Sequence, residues 1–164
     1  MLAVVDAYSV SVFLHVAAVV VGFGSTYALA VTFPVAMTMG TRYLPYVHQL
    51  GLVLNRWFAT PALVIILATG IYQVSSDGGR GWSFSDGWIS GAFVILIILG
   101  GMIGGYFVPS ERKLLAMAER DLATGSPEMS PEYTAAVKRS GMVGALAGVL
   151  ILLAVFLMVT KPGA

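Results

Sequence analysis

Four long runs of apolar residues with almost no charge constrain the fold of this chain more than any other feature of its sequence. Of its 164 residues, 58% are apolar and only 10% are charged, whereas a soluble domain carries about 25% charged residues. A helix needs roughly 20 apolar residues to cross a bilayer core about 30 Å thick. The sequence therefore predicts an all-α fold, a four-transmembrane-helix bundle whose spans lie at about 9–34, 50–74, 87–109 and 138–160.

The length of the chain suits one domain, so residues 1–164 are expected to form a single integral membrane domain. In lipid, an apolar segment must satisfy its backbone hydrogen bonds internally, and each run is therefore expected to be helical. No Lys or Arg precedes Arg42, so the first run lacks the basic region of a signal peptide. We expect this run to be retained as a span.

The charge balance and the lack of cysteine exclude several classes of function. Nine Lys and Arg residues against eight Asp and Glu residues give a net charge of +1, so no nucleic-acid partner is expected. A sequence without cysteine has no thiolate nucleophile and no thiolate metal site. Every acidic residue lies outside the four apolar runs, which argues against a transporter that works through membrane carboxylates. The partner that composition does indicate is the lipid bilayer.

The segment that joins the third and fourth spans predicts the orientation of the chain. It carries five basic residues, Arg112, Lys113, Arg120, Lys138 and Arg139. The positive-inside rule places such a segment in the cytoplasm. The protein is therefore expected to be multi-pass with both termini outside.

A helical hairpin is predicted within this cytoplasmic segment, over residues 110–137. Gly125-Ser126-Pro127 is typical of a helix end, and Ser130-Pro131-Glu132 of a helix start. The third helix is thus expected to continue past Pro109 to about Thr124, and the fourth to begin near Pro131. These two helices would extend together beyond the membrane.

Small residues repeat at close helical spacing in the last two spans, at Gly100, Gly101, Gly104, Gly105, Gly144 and Gly148. Such residues let helix backbones approach closely in lipid, where dispersion forces drive association. Two interpretations stay open. The glycines pack helices within the bundle, or they form a face that joins copies of the chain in a homo-oligomer.

His15 is the first candidate for a functional site, because it is the ionisable side chain inside the first run. A neutral imidazole can ligate haem iron or another metal ion, or it can relay protons. The alternative is a histidine that hydrogen-bonds to a neighbouring helix or faces a water pocket. A second axial ligand would have to come from the same half of the bundle, where Met158 and Tyr72 are expected.

His48 is not expected to share an iron with His15. Eighteen helical residues separate His15 from Phe33, a distance of about 27 Å at a rise of 1.5 Å per residue. Two axial ligands of one iron lie only about 4 Å apart. We expect His48 at the inner membrane surface, near Arg42 and Tyr46.

The sequence offers no catalytic group, since it has no thiol, no buried acid pair and no phosphate-binding loop. The function predicted first is a non-enzymatic integral membrane subunit or scaffold, in an oligomer or a larger membrane complex. The alternative is a haem b-binding redox protein with His15 as axial ligand. Any pocket for a cofactor is expected around His15, toward the outer surface.

Short motifs in the first two spans resemble those of a broad bacterial membrane superfamily. In the first span the motif is Phe13-Leu14-His15-Val16-Ala17-Ala18, followed by Gly22-Phe23-Gly24-Ser25. In the second it is Pro61-Ala62-Leu63, followed by Thr69-Gly70-Ile71-Tyr72. The superfamily includes a CopD-type copper-resistance domain, a membrane protoporphyrinogen oxidase family and the four-helix family called domain of unknown function 2269. The chain resembles this last family most.

The resemblance implies a protein of the bacterial inner membrane in which His15 is the histidine that the oxidase branch associates with haem b. The sequence departs from the pattern at two points. Gly22 stands where the superfamily has tryptophan, and the third span contains no lysine. The missing cation argues against porphyrinogen oxidation but leaves haem binding open.

Overall fold

The computed structural model describes residues 6–76, 80–125 and 128–163, and its architecture is helical throughout. Four helices within these residues are long and apolar enough to cross a membrane. They are α1 (Ala7–Met39), α2 (Thr41–Ser75), α3 (Gly87–Ala123) and α4 (Pro131–Thr160). The described part of the chain contains no strand. The predicted all-α, four-span fold is confirmed.

Local sequence signals account for where the helices begin. Asp6 caps α1, because its carboxylate accepts a hydrogen bond of 2.7 Å from the backbone N–H of Ser9. Ser130 caps α4 in the same way, accepting from the N–H of Tyr133 at 3.2 Å, and Pro131 occupies the first helical position. The fourth helix thus begins where the sequence predicts. Ser126 and Pro127 of the predicted helix end lie outside the described residues.

A π-turn interrupts α2 and another interrupts α3, each just before a proline. Pro61 and Pro109 both come two residues after a π-turn. A proline ring clashes with the carbonyl four residues back and offers no N–H to it. The wider turn relieves that clash, so both helices continue through the proline. Along the chain, the segments are Thr41–Tyr43 (3₁₀), Leu44–Leu54, Asn55–Ala59 (π) and Thr60–Ser75 in α2, then Gly87–Met102, Ile103–Phe107 (π) and Val108–Ala123 in α3.

Connected helices run in opposite directions, which gives the bundle two ends. We call the end at Ala7, Ser75, Gly87 and Thr160 the terminal end. The opposite end, which holds the 110–137 segment and the α1–α2 connection, is the hairpin end.

Small residues bring α1 and α2 together near the middle of the bundle. A Cβ atom added to Gly22 would overlap the Cβ of Ala62. Ala18 and Ile66 are buried around this contact. The other pair of helices, α3 and α4, packs through larger buried side chains, which are Ile95, Leu99, Ala147 and Ile151.

The first part of α2 packs against the hairpin helices, so that α2, α3 and α4 pack together at the hairpin end. Leu44, Val47, His48 and Gly51 are buried on one face of α2. The buried core at this end is Leu44, Leu114, Met117, Ala118 and Tyr133. The sequence predicts that two helices extend together beyond the spans. In the structure α2 accompanies them, because it begins at Thr41, ahead of the predicted second span.

The repeated glycines have different surroundings. A Cβ atom on Gly100 would lie 3.9 Å from Leu63, and one on Gly148 would lie 3.8 Å from Tyr27, so these two contribute to packing inside the bundle. Gly144 borders open space. Three further glycines are exposed, and a Cβ added there would meet no described atom within 4 Å; they are Gly101, Gly104 and Gly105.

Candidate functional site

A hydrogen bond between helices orients His15. Its Nδ1 lies 2.9 Å from Oγ1 of Thr69 on α2. The Thr69 hydroxyl also lies 2.5 Å from the carbonyl oxygen of Ile65, one turn back in its own helix. A hydroxyl has a single proton, and in a helix it donates that proton to the preceding turn. Oγ1 therefore accepts from Nδ1–H, which leaves the lone pair of the neutral ring on Nε2.

Neighbouring contacts hold this pair of helices in register. Gln73 on α2 donates from Nε2 to the carbonyl and hydroxyl oxygens of Ser11 on α1, both at 3.3 Å. The His15 ring lies beside Gly70, where an added Cβ atom would be 3.6 Å from Cε1, an ordinary van der Waals contact. Polar side chains near the terminal end of α1 and α2 thus satisfy one another across the interface.

His15 lines a cavity of about 430 Å³ near the terminal end, which we call the terminal-side cavity. Met158 on α4 lines the same cavity. Most of the remaining wall is apolar, including Val12, Ile66, Phe93 and Ala154. Tyr72 does not line this cavity, and it is 39% exposed on the outside of α2. Of the two candidate partners for His15, the structure therefore brings only Met158 to the same space.

Two groups that favour a negatively charged or hydrogen-bond-accepting ligand also line the terminal-side cavity. Trp88 is 4% exposed, and its indole Nε1–H has no hydrogen-bond partner among the described residues. The ammonium of Lys161 lies 4.3 Å from the ring centroid of Trp82 and 5.6 Å from that of Trp88. Attraction between the cation and the rings holds the charge at this wall. The sequence did not indicate either residue as part of a site.

The described residues contain no cluster of three or more His, Asp or Glu side chains that could hold a metal ion. A bare ion would have His15 as its one nitrogen ligand in the terminal-side cavity. An iron already held by a macrocycle needs only one or two axial ligands from the protein. The residues around His15 therefore suit a haem better than a free metal ion.

His48 lies in a buried cluster at the hairpin end, and its partners there are side chains of α3 and α4 that the sequence did not indicate. It is 2% exposed. Its Nδ1 lies 2.7 Å from a carboxylate oxygen of Glu111 on α3, and its Nε2 lies 2.8 Å from the hydroxyl of Tyr133 on α4. The spacing of Leu44, Val47, His48 and Gly51, which fits one helix face, was the sequence signal for this burial.

A second cavity, of about 680 Å³, lies next to this cluster, and we call it the hairpin-side cavity. His48 and Glu111 line it, together with residues of both π-turns. Phe23 and Leu99 line both cavities and therefore stand between them.

A polar network closes the hairpin beyond its apolar core. One Asp121 oxygen accepts from the backbone N–H of Ser130 at 2.9 Å, and the other accepts from the Arg120 guanidinium at 2.9 Å. Arg120 also donates to Glu132 at 3.3 Å. Hydrogen bonding to Ser130, then the bonds and charge of Arg120, hold the pKa of Asp121 below its ordinary value. These bonds join the end of α3 to the start of α4.

Comparison with known proteins identifies a family match. The profile of a family described as predicted integral membrane protein (DUF2269) matches residues 9–162. No curated protein and no solved structure matches the chain.

Proposed function

The chain belongs to the DUF2269 family of predicted integral membrane proteins, and we propose that it binds haem b in the terminal-side cavity with His15 as axial ligand. The observation that carries this proposal is the Thr69–His15 hydrogen bond, which leaves the Nε2 lone pair of a cavity-lining ring free for a metal. Ligating histidines are oriented in this way by a hydrogen bond at the other ring nitrogen.

The chemistry of the remaining groups supports the same ligand. The thioether of Met158 lines the cavity and is a known axial donor to haem iron. The unpaired Nε1–H of Trp88 and the ammonium of Lys161 suit the carboxylates of a haem. The volume of about 430 Å³ lies within the range of roughly 300–1,000 Å³ for cofactor pockets. A bound haem would supply one-electron chemistry.

The membrane setting completes the proposal. We place the chain in the bacterial inner membrane with both termini outside, because its basic residues concentrate at the hairpin end. The terminal-side cavity would then open toward the outer surface. We do not extend the proposal to porphyrinogen oxidation, because α3 has no lysine between Gly87 and Pro109.

An absorption spectrum of the purified protein tests haem binding directly. Protein from haem-replete cells should show a Soret band, and His15→Ala should lose it. His48→Gln is the matched control, because His48 lines the other cavity, and it should keep the band. A folded but colourless wild-type protein would overturn the proposal.

A second candidate function is that of a non-enzymatic membrane subunit or scaffold, and the outward glycines of α3 support it. Gly101, Gly104 and Gly105 are exposed on the surface of one copy, where small residues allow a second helix to approach closely. Gly104→Leu should separate copies that cross-link or sediment together in mild detergent. Gly24→Leu is the control, since a Cβ at Gly24 also meets open space but on α1. A wild-type chain that stays monomeric and brings down no other subunit would contradict this role.

A further inference from the structure

The hairpin-side cavity is a mostly apolar space with a polar group at one end. Apolar and small residues of α1 and α4 form its long walls, and those of α4 include Gly141, Gly144 and Gly148. His48 and Glu111 lie at the polar end, and the other polar lining residues are Thr26, Tyr27, Asn55, Lys138 and Ser140. A mostly apolar cavity with a few polar groups favours a ligand that has an apolar body and few polar groups.

One carboxylate oxygen of Glu111 is hydrogen-bonded within the described chain, and the other is not. Its Oε2 lies 2.7 Å from His48 Nδ1. No described residue donates a hydrogen bond to Oε1. The side chain is 16% exposed, and it lines the cavity. A carboxylate oxygen in largely apolar surroundings is stabilised strongly by a hydrogen-bond donor.

The nearby donors of the chain are already engaged elsewhere. Both ring nitrogens of His48 are used, one by Glu111 and one by the Tyr133 hydroxyl. The amide of Asn55 donates to the carbonyl of Gly51 at 2.9 Å. Lys138 lines the cavity but is not among the ion-pair partners of Glu111 in the described chain. Oε1 is not an enclosed atom without a partner, so a donor from outside the protein, either water or a ligand, can reach it.

We infer that the hairpin-side cavity binds an apolar, membrane-dissolved molecule that carries a hydroxyl group, and that Glu111 Oε1 accepts the hydrogen bond from this hydroxyl. An anionic group would be repelled by the Glu111 carboxylate, and a cation would lose its hydration on entering an apolar space. A neutral hydroxyl can donate a hydrogen bond to Oε1 without charge repulsion and without the loss of an ion's hydration. This inference concerns a different cavity from that of His15 and does not depend on haem binding.

Two probes of nearly equal shape test this site, namely 1-naphthol, which has a hydroxyl donor, and 1-methoxynaphthalene, which has none. Calorimetric titration of the protein in lipid nanodiscs, corrected with empty nanodiscs, should show saturable binding of 1-naphthol. Binding of 1-methoxynaphthalene should be weaker by about 10- to 150-fold, the effect of one hydrogen bond to a charged group. Glu111→Gln should remove most of this difference.

Variants that fill the cavity test the same binding site without changing the hydrogen bonds of Glu111. A Cβ atom on Gly144 or Gly141 meets open space, so Gly144→Leu or Gly141→Leu should project into the cavity and abolish binding of both probes. Gly24→Leu, at an exposed glycine that lies outside the cavity lining and outside the α3 glycine face, is the matched control. Equal binding of the two probes, which is the result expected if water alone occupies the site, overturns the inference. So does a lack of saturable binding, or binding unchanged in both filled variants.

Discussion

Thr69 on α2 fixes the orientation of His15 on α1, with its Oγ1 lying 2.9 Å from the histidine Nδ1. The hydroxyl proton of Thr69 goes to its own helix, so the oxygen is an acceptor for the ring. This single contact decides which imidazole nitrogen is available to a ligand in the terminal-side cavity.

Thr69→Val should weaken haem binding while leaving the fold intact. Valine keeps the shape of threonine but removes the oxygen that holds Nδ1–H, and loss of such an orienting partner lowers metal-site affinity by about 10–100-fold. Titration of the apoprotein with haem, followed by absorbance, measures the change. Thr32→Val is the control, because the Thr32 hydroxyl bonds only to Ala28 of its own helix, at 2.7 Å. Equal affinities of Thr69→Val and wild type would contradict an orienting role for Thr69.

Gly22→Ala should destabilise the bundle. The new methyl group would overlap the Cβ of Ala62, so α1 and α2 would have to separate. Overpacking of this kind costs about 1–3 kcal/mol. Unfolding by dodecyl sulfate in mixed micelles measures the loss. Gly24→Ala, whose methyl group meets no described atom within 4 Å, should leave stability unchanged or slightly raised.

Tyr133→Phe should also lower the stability of the hairpin end. The Tyr133 side chain is 2% exposed, and its hydroxyl bonds to His48 Nε2 at 2.8 Å. Phenylalanine keeps the packing of the ring but leaves this imidazole nitrogen buried without a partner, which costs about 1–3 kcal/mol. The same denaturation experiment applies. Tyr46→Phe is the control, because Tyr46 is 67% exposed, and a similar loss in both variants would argue against the hydrogen bond as the cause.

Acid should loosen the hairpin through Asp121, which lies outside the predicted spans. Hydrogen bonding to Ser130 and the bonds and charge of Arg120 lower its pKa in the folded chain. A carboxyl with a lowered folded pKa contributes stability above its unfolded pKa of about 3.9, and this contribution is lost as the pH falls through the folded value. The protection of the Ser130 amide against hydrogen exchange, taken relative to the intrinsic rate at each pH, should therefore fall at low pH. In Asp121→Asn this acid-dependent loss of protection should disappear, and a profile identical to that of the wild type would refute the assignment.

The helical content of the fold was predictable because lipid leaves an apolar segment few alternatives. Runs without charge must cross the bilayer as helices, since their backbone groups find no water there. Ser130 and Pro131 marked the start of α4 because a cap and a first-turn proline act locally. The continuation of α3 past Pro109 was also predictable, from the amphipathic sequence that follows it.

The rotation of each helix about its own axis was not predictable, and the candidate sites depend on it. The sequence indicated His15 as a site residue but not Thr69. It indicated Tyr72 and Met158 in the same half of the bundle, and the structure leaves Tyr72 outside the cavity. The sequence did not indicate that Glu111 and Tyr133 enclose the His48 ring. In a lipid-facing helix, apolar residues cover the outer as well as the inner face, so hydrophobic periodicity does not mark the inside. Contacts between residues 54 to 85 positions apart, such as His15–Thr69 and His48–Tyr133, are decided only when the helices pack.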